Sequence, residues 1–183
     1  MLQTIAQPLS TREKLLNSAR AAFWARGYSN VSVRAVATDA GVDVALISRY
    51  FGSKRGLFDE TLASAFDLPF DVVHDIQSLV EMFVQLFTTT PRGCETPSAV
   101  RMLLTNAHDD EVGADLQSRV EADLFTPLAQ IIGDDARTAL FLSAVLGVSV
   151  AEKTLHLPGI SAPNTALYEA QIRHMFETAL DFG

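Results

Sequence analysis

The hydrophobic pattern of this chain is helical along nearly its whole length. Apolar residues recur at intervals of three and four, and no segment alternates in the manner of a half-buried strand. The pattern therefore predicts an all-α fold. The predicted helices span 11–26, 33–40, 44–50, 54–67, 70–89, 97–108, 110–132 and 135–157, followed by a final helix that Asn164 caps. Pro127 is expected to kink or divide the helix in which it lies.

The segment 32–54 joins two short helical patterns through a tight turn. Gly41 follows the first pattern directly, at a position where helices commonly end in a left-handed residue. Asp43 comes next and can accept a hydrogen bond from the first free amides of the following helix. This arrangement predicts a helix-turn-helix, whose second helix enters the major groove of DNA in proteins that bind it.

Helix pairs joined by a glycine turn also occur in helical proteins that never bind DNA, so spacing alone leaves both interpretations open. The charge distribution favours DNA. Residues 10–56 hold eight of the 14 Lys and Arg but three of the 22 Asp and Glu, a net charge of +5. The remaining residues hold six basic and 19 acidic groups, a net charge of −13. A locally basic segment can contact phosphates even on a protein whose overall charge is −8.

Composition limits the remaining possibilities. With 183 residues, of which 48% are apolar, the chain can bury a sizeable core. Its single cysteine, Cys94, excludes an intramolecular disulfide and fits an intracellular location. Residues 1–9 lack the charged start of a signal peptide and are expected to form a flexible lead-in. The longest apolar run, 139–151, is too short to span a membrane.

Signals for catalysis or metal binding are weak. The four histidines are scattered without the spacing of a zinc site. The acidic run 109–111 suits the start of a helix better than a metal site. Ser149 lacks the second glycine of a nucleophile elbow. We therefore predict no catalytic residue, no metal site and no cofactor.

Residues 11–58 resemble the N-terminal DNA-binding domain of TetR-family transcriptional regulators. The motifs that carry the resemblance are Phe23 with Arg26-Gly27-Tyr28, Ser32-Val33, Ala37 with Ala40-Gly41-Val42, and Tyr50-Phe51-Gly52-Ser53-Lys54. The resemblance implies a DNA-binding domain over 10–56 and a helical ligand-binding and dimerisation domain over 57–183. It also implies a homodimer that binds a palindromic operator.

Eight residues match positions of the family motif that contact DNA. They are Ser32, Arg34, Val44, Ala45, Ser48, Arg49, Tyr50 and Lys54. By resemblance, Ser32, Tyr50 and Lys54 hold phosphates, whereas Arg34 and Arg49 are expected to carry most of the polar base readout. The chain departs from the family pattern at Ser48, where a short hydroxyl replaces an aromatic ring.

The resemblance also implies an effector pocket and a dimer interface in the C-terminal domain. The pocket candidates are Phe66, Phe70, His74, Met82, Phe83, Phe87, Met102, Asn106, Phe125 and Phe141. Taken singly, each phenylalanine and methionine among them is better explained as an ordinary core residue, whereas His74 and Asn106 are polar groups that could orient a ligand. The interface candidates are Val145, Gly147, Val148, Ile172, Met175 and Ala179. The helix 54–67 is expected to act as a rigid rod that connects Lys54 at the DNA with Phe66 at the ligand.

These observations favour a cytoplasmic, homodimeric transcriptional regulator, a repressor that a small and largely apolar ligand releases from DNA. No membrane partner is expected. The alternative is a helical ligand-binding or interaction protein whose helix-turn-helix no longer reads DNA. An enzyme is the least favoured class because no catalytic constellation is present.

Overall fold

The computed structural model describes residues 9–63, 65–89, 98–162 and 165–181. The regular structure in these ranges is helical, as the hydrophobic pattern predicts. The helices α1 to α10 span Thr11–Arg26, Val33–Asp39, Ala45–Phe51, Lys54–Leu62, Ile76–Thr89, Ala99–Asn106, Gly113–Val120, Thr126–Ile132, Asp135–Lys153 and Ala166–Leu180. A short 3-10 helix, Phe70–Val72, precedes α5, and a π-helical segment, Glu121–Phe125, joins α7 to α8.

The chain packs as two compact units. The described residues up to 65, together with 98–114, form the N-terminal unit; residues 66–89, 115–162 and 165–181 form the C-terminal unit. The boundary expected at residue 56 differs from this division, because α4 and α6 both pack on α1. Both helices contribute fully buried side chains to this unit, among them Leu57 of α4 and Met102 of α6.

Three aromatic rings fix the centre of the N-terminal unit. Phe23 of α1, Tyr28 of the following loop and Phe58 of α4 are each at most 3% exposed. The ring centroids of Phe23 and Phe58 lie 5.5 Å apart, and those of Tyr28 and Phe58 lie 5.2 Å apart. Edge-to-face pairs at such distances contribute about 0.5–1.5 kcal/mol beyond the area they bury. The middle of α4 is therefore held against the end of α1.

Several helices begin at the capping residues that the sequence indicates. The Ser10 amide donates to Glu13 Oε2 at 2.8 Å, and the Glu13 amide donates to Ser10 Oγ at 3.3 Å, which completes a capping box for α1. Asp134 Oδ1 accepts from the Arg137 amide at 2.8 Å and caps α9. The residue that caps α10 is Thr165, and the expected cap, Asn164, lies outside the described residues.

The fourth helix is shorter than expected. It ends at Leu62 rather than Asp67, so it is nine residues long and spans about 13 Å. The amides of Ala63 and Ala65 donate to carbonyl oxygens three residues earlier instead of four, which tightens the chain out of the α-helical form. The expected rigid rod from Lys54 to Phe66 is therefore wrong, since Phe66 follows the end of α4.

The sequence predicts one helix over 70–89, but in the structure a helix cap divides this segment. Val73 is extended, and α5 begins at Ile76. Asp75 Oδ1 accepts from the Ser78 amide at 2.7 Å, while Ser78 Oγ accepts from the Asp75 amide at 3.0 Å. Hydrogen bonds that the Ser78 amide and the Ser78 hydroxyl donate to the Asp75 carboxylate hold its pKa below the usual value. The reciprocal pair satisfies free amides at the start of α5.

The interruption expected at Pro127 takes the form of the π-helical segment Glu121–Phe125. Proline has no amide hydrogen, so the carbonyl of Asp123, four residues earlier, receives no α-helical hydrogen bond from it. A single wide turn just before the proline accommodates this missing bond without ending the helix.

The C-terminal unit is built around an aromatic cluster, which we define as Phe83, Phe87, Phe141 and Phe176. Phe176 of α10 lies 5.3 Å from Phe141 of α9 and 5.6 Å from Phe87 of α5, measured between ring centroids. Phe83 lies 5.0 Å from Phe141 in an edge-to-face arrangement. The cluster therefore joins α5, α9 and α10 into one core.

No helix in the described ranges combines the length and the apolar character that crossing a membrane requires. In the same ranges, no three His, Cys, Asp or Glu side chains are grouped so as to hold a metal ion.

Candidate nucleic-acid interface

The predicted turn between α2 and α3 has the expected geometry. Gly41 has φ of +67°, a left-handed conformation that glycine adopts at little cost. The Val42 amide donates to the Ala37 carbonyl oxygen at 3.0 Å and so closes the end of α2. Asp43 Oδ1 then accepts from the Ala45 amide at 2.7 Å at the start of α3. The local sequence thus sets the angle at which the second helix leaves the first.

The α3 helix buries one side and exposes the other. Ile47 and Phe51 are 2% and 8% exposed and hold the helix against the N-terminal unit. The opposite side carries the residues that the family motif matches to base contacts, and all of them are exposed: Val44, Ala45, Ser48 and Arg49. Their spacing of one, three and four residues places them on one continuous surface, which we call the recognition face.

The predicted phosphate ligands flank the recognition face. Ser32 is exposed, and its hydroxyl oxygen accepts from the Ala35 amide at 3.1 Å, which leaves its proton free for a phosphate oxygen. Tyr50 is 40% exposed at the end of α3. Lys54 Nζ lies 4.2 Å from the ring centroid of Tyr28, a cation–π contact that orients the ammonium group.

The arginines of this unit fall into two classes. Arg12 pairs with Glu60 at 2.7 Å, and Arg55 pairs with Asp59 at 3.2 Å. Arg34 and Arg49 are exposed, and neither guanidinium has an ion pair or hydrogen bond with any described residue. Arg34 also lines a shallow cleft with Val44, beside the tip of α3. Both arginines expected to read bases are therefore without a partner among the described residues, as are the exposed Arg26 and Arg101 of the same unit.

A serine outside the family motif ties α2 to α1. Ser18 is 7% exposed, and its hydroxyl lies 3.1 Å from the Val36 carbonyl oxygen and also contacts the Asp39 carboxylate. Both acceptors belong to α2, so the hydroxyl proton anchors that helix whichever acceptor it serves. The sequence could have indicated this role, because Ser18 is a polar residue on the buried stripe of α1, three positions after Leu15.

Asn106 does not line an effector pocket with the aromatic cluster. It lies in the N-terminal unit, is fully buried, and accepts from the Tyr28 amide at 2.7 Å. Its Nδ2 group donates to the Phe23 carbonyl oxygen at 3.2 Å and to the Met102 carbonyl oxygen at 2.9 Å. Met102 is also fully buried in this unit. Both residues hold α6 to the end of α1.

The chain after α6 makes further polar contacts with the N-terminal unit. The Ser29 amide donates to Asp109 Oδ2 at 3.1 Å, and Arg55 Nη1 donates to the Glu111 carbonyl oxygen at 2.8 Å. Burial disfavours the charge of Asp109, but hydrogen bonds from Ser29 and from the amides of Glu111 and Val112 outweigh it and lower the pKa of Asp109. The acidic run therefore braces the loop before the helix-turn-helix.

The other pocket candidates are distributed around the C-terminal core. Phe83, Phe87 and Phe141 belong to the aromatic cluster, and Phe70 and Met82 pack against that core. Phe66 is buried, Phe125 is half-buried and His74 is exposed. Because the clustered rings contact one another directly, a ligand that binds between them has to separate them first.

The interface candidates are mostly turned inward. Val148 and Ile172 are 5% and 1% exposed in the core of their own chain, and Val145 and Met175 pack against that core. Ala179 is half-buried, whereas Gly147 is exposed. The outer side of α9 has no charged residue between its two ends, and we call it the outer face of α9. Its exposed residues are Ala136, Ala139, Leu140, Ser143, Leu146 and Gly147.

Comparison with known proteins matches both halves of the chain. The model of bacterial regulatory proteins of the tetR family matches residues 15–61, and that of the tetracyclin repressor-like C-terminal domain matches residues 78–176, more than half of the chain. The probable HTH-type transcriptional regulator YttP of Bacillus subtilis (strain 168) is 39% identical over 59 residues. That match spans 32% of this chain and only 28% of YttP.

Solved structures share the fold over nearly the full length. AmtR of Mycobacterium smegmatis superposes with a TM-score of 0.64 at 20% identity, over 99% of this chain and 91% of AmtR. A cysteine mutant of the TetR-family regulator CifR, bound to 26-bp operator DNA, gives a TM-score of 0.59 at 20% identity. This match covers 96% of this chain and 98% of CifR. These structures share the fold, and the two family models show that the chain belongs to the TetR family of bacterial transcriptional regulators, which are not enzymes.

Proposed function

We propose that this protein is a sequence-specific DNA-binding repressor that acts in the cytoplasm as a homodimer on a palindromic operator. The observation that carries the proposal is the exposed recognition face, which includes the unpaired guanidinium group of Arg49 and shares a shallow cleft with the unpaired Arg34. Membership of the TetR family and the operator DNA bound to CifR support the same conclusion. A small, largely apolar ligand then weakens DNA binding from the C-terminal unit.

The deciding experiment is selection of bound duplexes from a random DNA pool by the purified full chain. We expect enrichment of a palindrome whose half-sites are centred about one helical turn apart, ~34–36 Å, or a multiple of that distance. A pool without enrichment at low and moderate salt would favour the alternative, a helical binding protein whose helix-turn-helix does not read DNA.

The Lys54→Ala variant is expected to weaken binding to every sequence and to reduce the salt slope of log K by about one per protomer. Arg34→Ala should instead relax specificity at one base pair, by about 1–3 kcal/mol. Affinity measured against salt concentration tests both expectations. Arg12→Ala is the matched control. Because Arg12 is already paired with Glu60, its substitution should leave the salt slope unchanged. Equal slope changes in all three variants would contradict the assignment.

The outer face of α9 is the surface that we propose for dimerisation. Exposure of such a largely apolar face to water is unfavourable, and burying it against a second copy of itself lowers the free energy. Gly147 has open space around its Cβ position, so two such helices can approach closely there. Val148 and Ile172, which the sequence suggested as contacts across the dimer, fill the core of one chain and are not part of this surface.

The Leu140→Asp variant is expected to sediment as a 19.9 kDa monomer and to lose operator binding by at least tenfold. Each Leu140 side chain is 41% exposed and would bring a carboxylate into an apolar contact. Leu104→Asp is the control, since Leu104 is 59% exposed on α6 of the N-terminal unit. A wild-type monomer that still binds a palindrome at micromolar concentration would overturn the dimer proposal.

Ligand release is proposed as a shift between two arrangements of the dimer. Moving nearly all molecules from the DNA-competent to the incompetent arrangement takes a differential affinity of about 5.5 kcal/mol. The aromatic cluster favours an apolar ligand, since it offers rings without fixed charges. A compound that raises the melting temperature yet leaves operator affinity unchanged would refute this part of the proposal.

A further inference from the structure

We infer that the recognition face reads its half-site chiefly through thymine 5-methyl groups, with Val44 and Ala45 as the residues that determine specificity. This inference rests on the proposed DNA-binding function and assigns the chemistry of the bases that α3 contacts. It leaves the polar readout to the unpaired guanidinium groups of Arg49, later on α3, and of Arg34 on α2.

The composition of the recognition face limits the contacts that it can make. Residues near the start of a recognition helix reach the base edges in the major groove. Here those residues are Val44, 39% exposed, followed by Ala45 and, one turn later, Ser48. None of them carries the amide that pairs with adenine, the guanidinium that pairs with guanine, or the carboxylate that pairs with cytosine. The complementary feature for the methyl groups of Val44 and Ala45 is the methyl group of thymine, whereas the Ser48 hydroxyl can hydrogen-bond to more than one base and so discriminates little.

The one acidic side chain at the tip of α3 has another role. Asp43 Oδ1 accepts from the Ala45 amide at 2.7 Å and so serves as the cap of the helix. This bond holds the carboxylate against the backbone, where its charge is compensated by the free amides of the first turn. Because this bond fixes the orientation of the carboxylate at the helix start, we assign Asp43 to the cap rather than to the readout of cytosine.

Val44 is well placed to act as a fixed apolar contact. It lines the shallow cleft that also includes Arg34, Ala37 and Val42. One side of Val44 therefore packs against the turn while the other remains exposed, and branching at Cβ restricts its rotamers. A methyl group that lands on such a surface buries about one CH₂ equivalent, ~0.8 kcal/mol, or roughly a fourfold gain in affinity. Two symmetric half-sites would give about 15-fold.

Deoxyuridine substitution of the selected operator tests the inference, because it removes the 5-methyl group and leaves the Watson–Crick edge intact. Each thymine is replaced in turn, at symmetric positions of both half-sites, and affinity is measured with the full-length protein at fixed salt. We expect at least one pair of positions at which affinity falls by about 15-fold. Deoxyuridine outside the half-sites is the control and should change affinity less than twofold.

A Val44→Ala variant assigns the methyl contact to a side chain. The loss on deoxyuridine substitution should shrink from about 15-fold to less than fivefold at one position, since the two changes remove the same contact. An Ala45→Ser variant should show the same shrinkage at the neighbouring position. Because Val44 is exposed, Val44→Ala should change the melting temperature by only a few degrees. The fluorescence of Trp24, the single tryptophan, measures this melting temperature.

The outcomes separate this inference from the proposed function. If no duplex is selected, the DNA-binding proposal itself fails. If a palindrome is selected but deoxyuridine at every position changes affinity less than twofold, DNA binding stands and the methyl readout is wrong. If deoxyuridine weakens binding equally in the wild type and in both variants, other residues read the methyl groups and the assignment to Val44 and Ala45 is overturned.

Discussion

The Phe141→Ala variant is expected to lose about 3–5 kcal/mol of its free energy of unfolding. Phe141 is fully buried, and its ring lies 5.0 Å from that of Phe83 and 5.3 Å from that of Phe176. Truncation removes the contacts of the ring and leaves a cavity among side chains of three helices. Chemical denaturation at a fixed protomer concentration measures the effect, since dimerisation makes apparent stability depend on concentration.

This measurement separates two roles for the aromatic cluster. A ring that lines an unfilled pocket already lacks neighbours on one side, so its removal would cost less than about 1.5 kcal/mol. Removal of a ring that fills the core costs the full amount, about 3–5 kcal/mol of unfolding free energy. Leu86→Ala is the matched control, because Leu86 precedes Phe87 on α5 but is 42% exposed. If Phe141→Ala is no more destabilising than Leu86→Ala, the ring lines a pocket rather than the core.

The Asn106→Leu variant is expected to lose about 2–4 kcal/mol of stability, mostly from the buried Tyr28 amide that it leaves without its acceptor. The Phe23 carbonyl oxygen keeps its bond from the Gly27 amide and therefore contributes less. Leucine also presents a methyl group where the Asn106 Nδ2 group donated two hydrogen bonds. Unfolding monitored by the fluorescence of Trp24, on the neighbouring α1, reports the loss.

Asn30→Leu provides the control for this prediction. Asn30 is exposed, and its Nδ2 donates a single bond to the Arg26 carbonyl oxygen at 2.9 Å. The same chemical change there should cost less than about 1 kcal/mol, since water replaces the lost bond. Equal losses in the two variants would mean that the buried hydrogen bonds of Asn106 contribute nothing beyond the volume of the side chain.

The capping and turn residues show how far local sequence predicts this protein. Ser10 with Glu13, Gly41, Asp43 and Asp134 occupy the expected positions in the structure. Each acts through a hydrogen bond or a backbone angle within four residues of itself, so the information is contained in the neighbouring sequence. The all-α class, the helix-turn-helix and the exposed recognition face follow from the same short-range rules.

Two helix boundaries differ from those that the hydrophobic pattern predicts, because hydrogen bonds and burial override the apolar spacing there. The spacing of apolar residues continues across 70–89, but Asp75 and Ser78 exchange hydrogen bonds that begin a new helix at Ile76. Apolar periodicity also continues beyond Leu62, where the chain instead tightens and Phe66 is buried in the C-terminal unit. In both places a few polar or tertiary contacts outweigh a weak helical preference.

Tertiary structure alone decided which side of each apolar helix became core. The stretch 139–151 of α9 is apolar on nearly every side, so its sequence does not distinguish the buried Val148 from the exposed Leu140. That choice depends on where α5 and α10 place Phe83 and Phe176, contacts between residues far apart in the chain. Asn106 is the polar counterpart, since two of its three partners, Tyr28 and Phe23, lie about 80 residues earlier. Local hydrogen bonds are readable from the sequence, whereas burial is settled only when distant surfaces meet.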